Sequence, residues 1–304
     1  QNGPGFMGGA AKVPLTYRMS RGEFVQFTQH EELKGTMVLS NKPTTVFSSH
    51  TCANVPNESG ACDMLFQQIP TFEQWGSEYA AVGYRPRVGN EREPMPYRIV
   101  AARDGTRFDY DPAIPAGAPT ELSAGESATF PAGVGDAFVV RSQDAEHPFY
   151  LGAYMTGRQG GYYGSPDFGG AGDPDFVNVI PAQQWLNSYS FYADPTYAET
   201  SLVIVRAKSH GSFKDVWLEC AGNLADWKPI GTRGQYEYLR VDLSRGGRAG
   251  DRFGDKVCQT GLHRMRSEGP FTATLWGWDL AASYAYPGGM AHRKLVETPL
   301  ELLR

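Results

Sequence analysis

The chain has 304 residues, 41% hydrophobic and 20% charged, which is enough length and apolar content for two or three domains and excludes a disordered chain. A net charge of −5 without any Lys/Arg block argues against nucleic acid or an anionic membrane as the main partner. No run approaches the roughly 18 apolar residues of a membrane-spanning helix, so no membrane insertion is expected.

With Gly 36, Pro 21 and 12% aromatic residues, the composition favours many turns and short strands over long helices. In chain order, the first patterned segment is YRMSRGEFVQF at 17–27. It carries an apolar residue and then S-x-G, a turn in which Gly22 supplies positive φ. The block returns as TELSAGESATF at 120–130 and, less fully, as YLRVDLSRGGR at 238–248. Next comes SNKPTTVFSSHT at 40–51, predicted to be a strand introduced by Pro43, where a missing N–H costs least. Its counterparts are AEHPFYLGAYMT at 145–156 and SEGPFTATLWGW at 267–278. A third block, IPTFEQWGSEY at 69–79, recurs as IPAQQWLNSY at 180–189, and the last copy ends differently, in SYAYPGG at 283–289.

Blocks that recur in constant order predict an internal repeat. The expected organisation is module 1 at 1–96, module 2 at 97–196, module 3 at 197–290 and a tail at 291–304. YRIVAARDGTRFDYD at 97–111 has the alternation and R-D-G turn of a hairpin, and SLVIVRA at 201–207 holds the same place in module 3. The fold class is therefore all-β, with three tandem β-sandwich-like repeats packed as one rigid unit. Module 1 lacks the opening hairpin. The expectation is either a domain cut from a longer protein or a vacancy filled by the C-terminal RKLVETPLELL.

Four cysteines, Cys52, Cys62, Cys220 and Cys258, fall in no CxxC pair, which disfavours a zinc site and suggests disulfides in an oxidising compartment. Of three possible pairings, proximity along the chain favours Cys52–Cys62 and Cys220–Cys258, with free buried thiols as the alternative. Ser48, Ser49, His50 and Cys52 crowd one strand, but neighbours on a strand point to opposite faces and no glycine-flanked elbow is present. Their positions are occupied by unrelated residues in the other copies, so no catalytic residue is assigned and no enzyme is expected. The segment TGRQGGYYGSPDFGGAGDPDF at 156–176 departs furthest from the repeat. Its glycines and Tyr162, Tyr163, Asp167 and Asp173 suit a binding loop, with a solvated connector as the plainer reading. Asp167, Asp173 and Asp175 offer oxygens for Ca²⁺, although their order is not that of an EF-hand; otherwise no cofactor or metal is implied. Trp276 and Trp278 alternate on one strand and so face one side, as a stacking platform for sugar or peptide or as core. Asn57-Glu58-Ser59 is a glycosylation sequon inside the short cysteine loop.

The stretch LKGTMVLSNKPTTVFSSHTCANVP, followed by ACDMLFQQIPTFEQWGSEY, resembles the IgGFc-binding N-terminal domain family, as do GDPDFVNVIPAQQWLNSYSF and SYAYPGG. The resemblance spans roughly residues 15–290. It implies an extracellular, secreted or cell-surface, non-enzymatic module of adhesion-type or mucus-type proteins, whose partners are a protein or glycan ligand and other domains of a longer parent chain. It supplies no binding residues to carry over and does not imply immunoglobulin as the ligand. The alternatives are a structural spacer or assembly domain and, further off, an extracellular hydrolase.

Overall fold

The computed structural model describes residues 9–10 and 13–300. Residues 13–46 carry no strand, and the first paired element is a hairpin of β1 (Phe47–Asn54) and β2 (Cys62–Gln68). A first sandwich follows. One of its sheets has the order β3 (Glu78–Ala81), β8 (Phe138–Ser142), β5 (Thr106–Asp111), β6 (Glu121–Leu122). The other has the order β10 (Asp175–Asn178), β9 (Phe149–Met155), β4 (Pro94–Ala101), β7 (Ser127–Gly133).

The second sandwich is built around one long strand, β20 (Gly261–Asp279), which serves both of its faces. Its first half pairs with β11 (Leu186–Ala193) and with β13 (Val216–Leu218), which carries β14 (Gly222–Asn223). Its second half pairs with β21 (Ala282–Pro287) and with β12 (Glu199–Ala207). Beyond β12 come β16 (Tyr236–Arg245) and then β15 (Lys228–Ile230), while β17 (Arg248–Ala249) pairs back on β16. A small hairpin joins β18 (Arg252–Phe253) to β19 (Lys256–Val257). The register of β20 against β11 shifts between Arg266 and Phe271. Pro270 cannot donate to a ladder there, and Gly269 N–H turns to Ser267 Oγ at 3.0 Å.

With β20 taken as two half-strands, the sandwiches have the same strand order. β3-β8-β5-β6 matches β11-β20-β13-β14, and β10-β9-β4-β7 matches β21-β20-β12-β16. The pairing crosses the boundaries expected at 96/97 and 196/197, because β3 joins the sheet of β8 and β11 joins that of β20. The third S-x-G block also sits elsewhere: Ser244 lies at the end of β16, whereas Ser123 precedes β7.

The repeated I-P…W…Y blocks make matching local bonds. The Trp75 indole donates to Pro70 O at 3.1 Å, and that of Trp185 donates to Ile180 O at 2.9 Å. The Tyr79 hydroxyl accepts from Gly76 N and donates to Phe149 O, as Tyr189 does between Leu186 N and Phe271 O. Each block thus pins the entry of one strand to the start of another, which is a structural task.

The sandwiches are fused through a shared core. Tyr84 packs between Trp276 and Trp278 at ring distances of 5.0 and 5.8 Å, and Trp185, Val205, Tyr236 and Tyr238 join Ala80 and Val139 in a second cluster. Arginines clamp its rim: Arg85 bonds Asp242 at 2.8 Å and also Glu199, while Arg240 reaches Gly83 O and Glu91. The described part of the tail, residues 291–300, is not a strand in the hairpin, and the rest of RKLVETPLELL lies outside the described residues. Leu295 N–H donates to Glu73 O, and the Thr298 and Pro299 carbonyls accept from Arg103, so the described part lies over the 3-10 turn Phe72–Gln74 and the β4–β5 turn.

Candidate functional site

The β1–β2, β9–β10 and β20–β21 loops lie side by side at one edge of the molecule. Gly157 N–H donates to Val55 O at 2.8 Å, Gly172 N–H to Asp279 O at 2.8 Å, and Ala281 N–H to Gly170 O at 2.9 Å. The strands beneath are joined by side chains. Gln67 Nε2 donates to Ala285 O at 3.0 Å, Asn178 Nδ2 to Gln68 O at 2.8 Å, and Ser283 Oγ to Asp173 O at 2.7 Å.

The glycine-rich loop forms the centre of this edge and is anchored from within. Phe168 is buried with the Arg87 guanidinium 3.8 Å above its ring. Arg87 Nη1 donates to Thr156 O and Ala171 O at 2.9 and 3.0 Å, bracketing the loop. Glu93 holds Arg87 through Nε at 2.6 Å and also accepts from the Tyr84 hydroxyl at 2.9 Å, with all three side chains buried. What projects outward is Tyr163, 49% exposed and held in the left-handed region at φ 52, together with Leu280, 74% exposed. Asn57 and Glu58 on the cysteine loop are exposed, and the charge of Glu58 acts on the Tyr163 hydroxyl.

Of the residues singled out from the sequence, Tyr163 is therefore at the surface. Tyr162 is half-buried, its hydroxyl bonded to Gly157 O, and Asp167 is exposed and accepts from Gly169 N at 2.6 Å within its own turn. Asp173 is buried, and burial and Asp63 push its carboxyl up. Trp276 and Trp278 are each 1% exposed, so a stacking platform there is corrected to core. Their alternation did place both rings on one side, but that side faces the first sandwich. No group of three or more His, Cys, Asp or Glu among the described residues is placed to hold a metal, so Asp167, Asp173 and Asp175 do not form a calcium cage. Cysteines pair as Cys52–Cys62 and Cys220–Cys258. Exposed His50 bonds the Cys52 N–H at 3.1 Å. Leu280 and the meeting of three loops were missed, since the backbone bonds that join the loops link segments far apart in sequence.

Asp175 lies where β2, β10 and β21 meet. Burial pushes its carboxyl up to about 7, and Asp63 adds to the effect. In an unfolded chain an aspartate titrates near ~3.9. The folded protein thus holds the extra proton between these values, and the stability gained from it is lost as pH rises through about 7. The melting temperature is expected to fall from pH 5 to pH 8, and Asp175→Asn to flatten that fall while keeping the acceptor for Phe176 N–H. Equal slopes for both proteins would refute the assignment.

These features define an all-β protein of fused sandwiches with two disulfides and a composite loop edge, and no described helix is long and apolar enough to cross a membrane. The sequence model of the family described as IgGFc binding protein matches residues 1–277, and the chain belongs to that family. No curated protein matches it. A solved structure described as an anti-sigma factor domain-containing protein aligns over 80% of this chain and 97% of its own at 11% identity, but its TM-score of 0.19 carries no argument.

Proposed function

We propose that the protein is a non-enzymatic extracellular binding module that presents its three-loop edge to a protein or glycan ligand. The observation that carries this reading is the loop around Tyr163. An exposed aromatic ring stands on a turn closed by Gly161 N–H to Ser165 O and Ser165 N–H to Tyr162 O, in a loop whose two ends Arg87 brackets, so less entropy is lost in ordering it on binding. The family and the two disulfides support an extracellular setting. Tyr163 and Leu280 are exposed apolar side chains of this edge, and Asn57, Glu58 and Asp167 are exposed polar ones, the mixed composition of a small protein-binding patch.

A spacer role has its own support, because the aromatic and arginine interface makes the two sandwiches one stiff body. An array of proteins and glycans probed with the wild type and with Tyr163→Ala/Leu280→Ser separates the two readings. Binding by the wild type that falls at least about tenfold in the variant is expected, as for a central aromatic anchor. A silent array would favour the spacer, and binding that the variant retains would place the ligand elsewhere than on this edge.

A further inference from the structure

We propose that Cys52–Cys62 is a site of thiol–disulfide exchange, open in the folded protein to a small external thiolate that attacks Cys52 Sγ. Cys220–Cys258 is closed to the same reagent. Cys52 is exposed and Cys62 is half-buried. Cys258, by contrast, is 0% exposed and belongs to the core of the second sandwich with Leu218 and Leu224, and Cys220 packs against that cluster. Access of the attacking thiolate governs exchange, and exposed disulfides are the labile ones, so the two bonds of this chain differ in kind.

The hairpin holds its shape without the bond it carries. Phe47–His50 pair with Leu65–Gln68, and Ala53 and Asn54 pair with Asp63 and Cys62. Inside the loop, Asn54 Nδ2 donates to Ser59 O at 2.6 Å and to Ala61 O at 3.2 Å, and Ser59 N–H donates to Pro56 O at 2.9 Å. Val55 and Leu65 are buried with Phe176, and Val55 O accepts from Gly157 N–H. The β9–β10 and β20–β21 hairpins, which follow the same kind of Pro-led block, pair with no cysteine in them. The closure is also the shorter of the two, 10 residues against 38, and a shorter loop contributes less to stability in the loop-closure model. Opening Cys52–Cys62 therefore leaves the ladder, the loop bonds and the buried cluster in place.

The exchange balances as two thiolate attacks. The first thiolate forms a bond to Cys52 Sγ as the disulfide bond breaks, and the electron pair leaves on Cys62 Sγ, which takes a proton from water. A second thiolate attacks the reagent sulfur of this mixed disulfide and frees Cys52, so two external thiols supply the two electrons that reduce the cystine. Val55, which holds the glycine-rich loop, lies between the two cysteines, so the freed thiols stand next to the three-loop edge. The exchange does not depend on whether that edge takes a ligand.

The test exposes the native chain to 2-mercaptoethanol, an uncharged thiol chosen because Glu58 lies within the loop and Asp63 follows Cys62. Samples are quenched in acid at intervals, labelled with N-ethylmaleimide and mapped by peptide mass spectrometry. Cys52 and Cys62 are expected to label at least about a hundredfold faster than Cys220 and Cys258, whose reduction waits on opening of the second sandwich. Near-UV dichroism is expected to stay unchanged during the fast phase, with the first adduct on Cys52. The double variant Cys52→Ser/Cys62→Ser is expected to fold with the dichroism of the wild type. Equal rates for the two pairs, tertiary signal lost in step with the first, a first adduct chiefly on Cys62, or an unfolded double variant would overturn the proposal.

Discussion

Arg87→Ala is expected to lower the unfolding free energy by about 3–5 kcal/mol, because it leaves the Glu93 carboxylate buried without its partner. It also removes the two bonds that bracket the glycine-rich loop and the cation over Phe168. The double replacement Arg87→Met/Glu93→Leu is expected to recover most of that loss, since removing both charges avoids the uncompensated one. Guanidinium denaturation followed by Trp fluorescence reads both. Proteolysis within 158–171 is expected to accelerate in the single variant, where the loop has lost its inner anchor. A single variant as stable as the wild type would show that the pair is solvated rather than buried.

Trp276→Ala is the second large effect, at about 3–5 kcal/mol, since the ring is fully buried and its loss opens a cavity between the sandwiches. Its ring meets Tyr84, and the same sheet supplies Val203 and Trp278 to the shared core. The measurement is the shift of the thermal midpoint together with the near-UV dichroism of the tryptophans. A stability change under about 1 kcal/mol, below the range for a buried aromatic, would mean that the ring is not part of the fused core. That result would reopen it as a ligand platform.

The fold class and much of its punctuation were legible in the letters. Strand alternation at 97–111, the prolines that precede β1, β9 and the later half of β20, and the pairing of nearby cysteines all depend on short-range geometry. The candidate site was legible in part. The glycine-rich loop stood out by composition, but its anchoring by Arg87 did not, because Arg87 lies far from Phe168 in sequence and reaches it only across the sandwich. Charged residues such as Arg87 and Glu93 are expected at the surface unless paired, and nothing in one sequence announces the pair.

What the sequence by itself determined was local: the turns, the strand starts, the indole bonds of the two I-P…W…Y blocks and the disulfide loops. The S-x-G-E turn forms the same way at Ser20 and at Ser123, because its bonds close within four residues. Only the tertiary structure decided what followed each turn. β7 exists because β4 lies beside it, while residues 24–27, after the matching turn, form no strand, and a strand's hydrogen bonds are made to another strand. The same holds for the tryptophans. Alternation put Trp276 and Trp278 on one side, but whether that side met water or another sheet depended on the first sandwich packing against it.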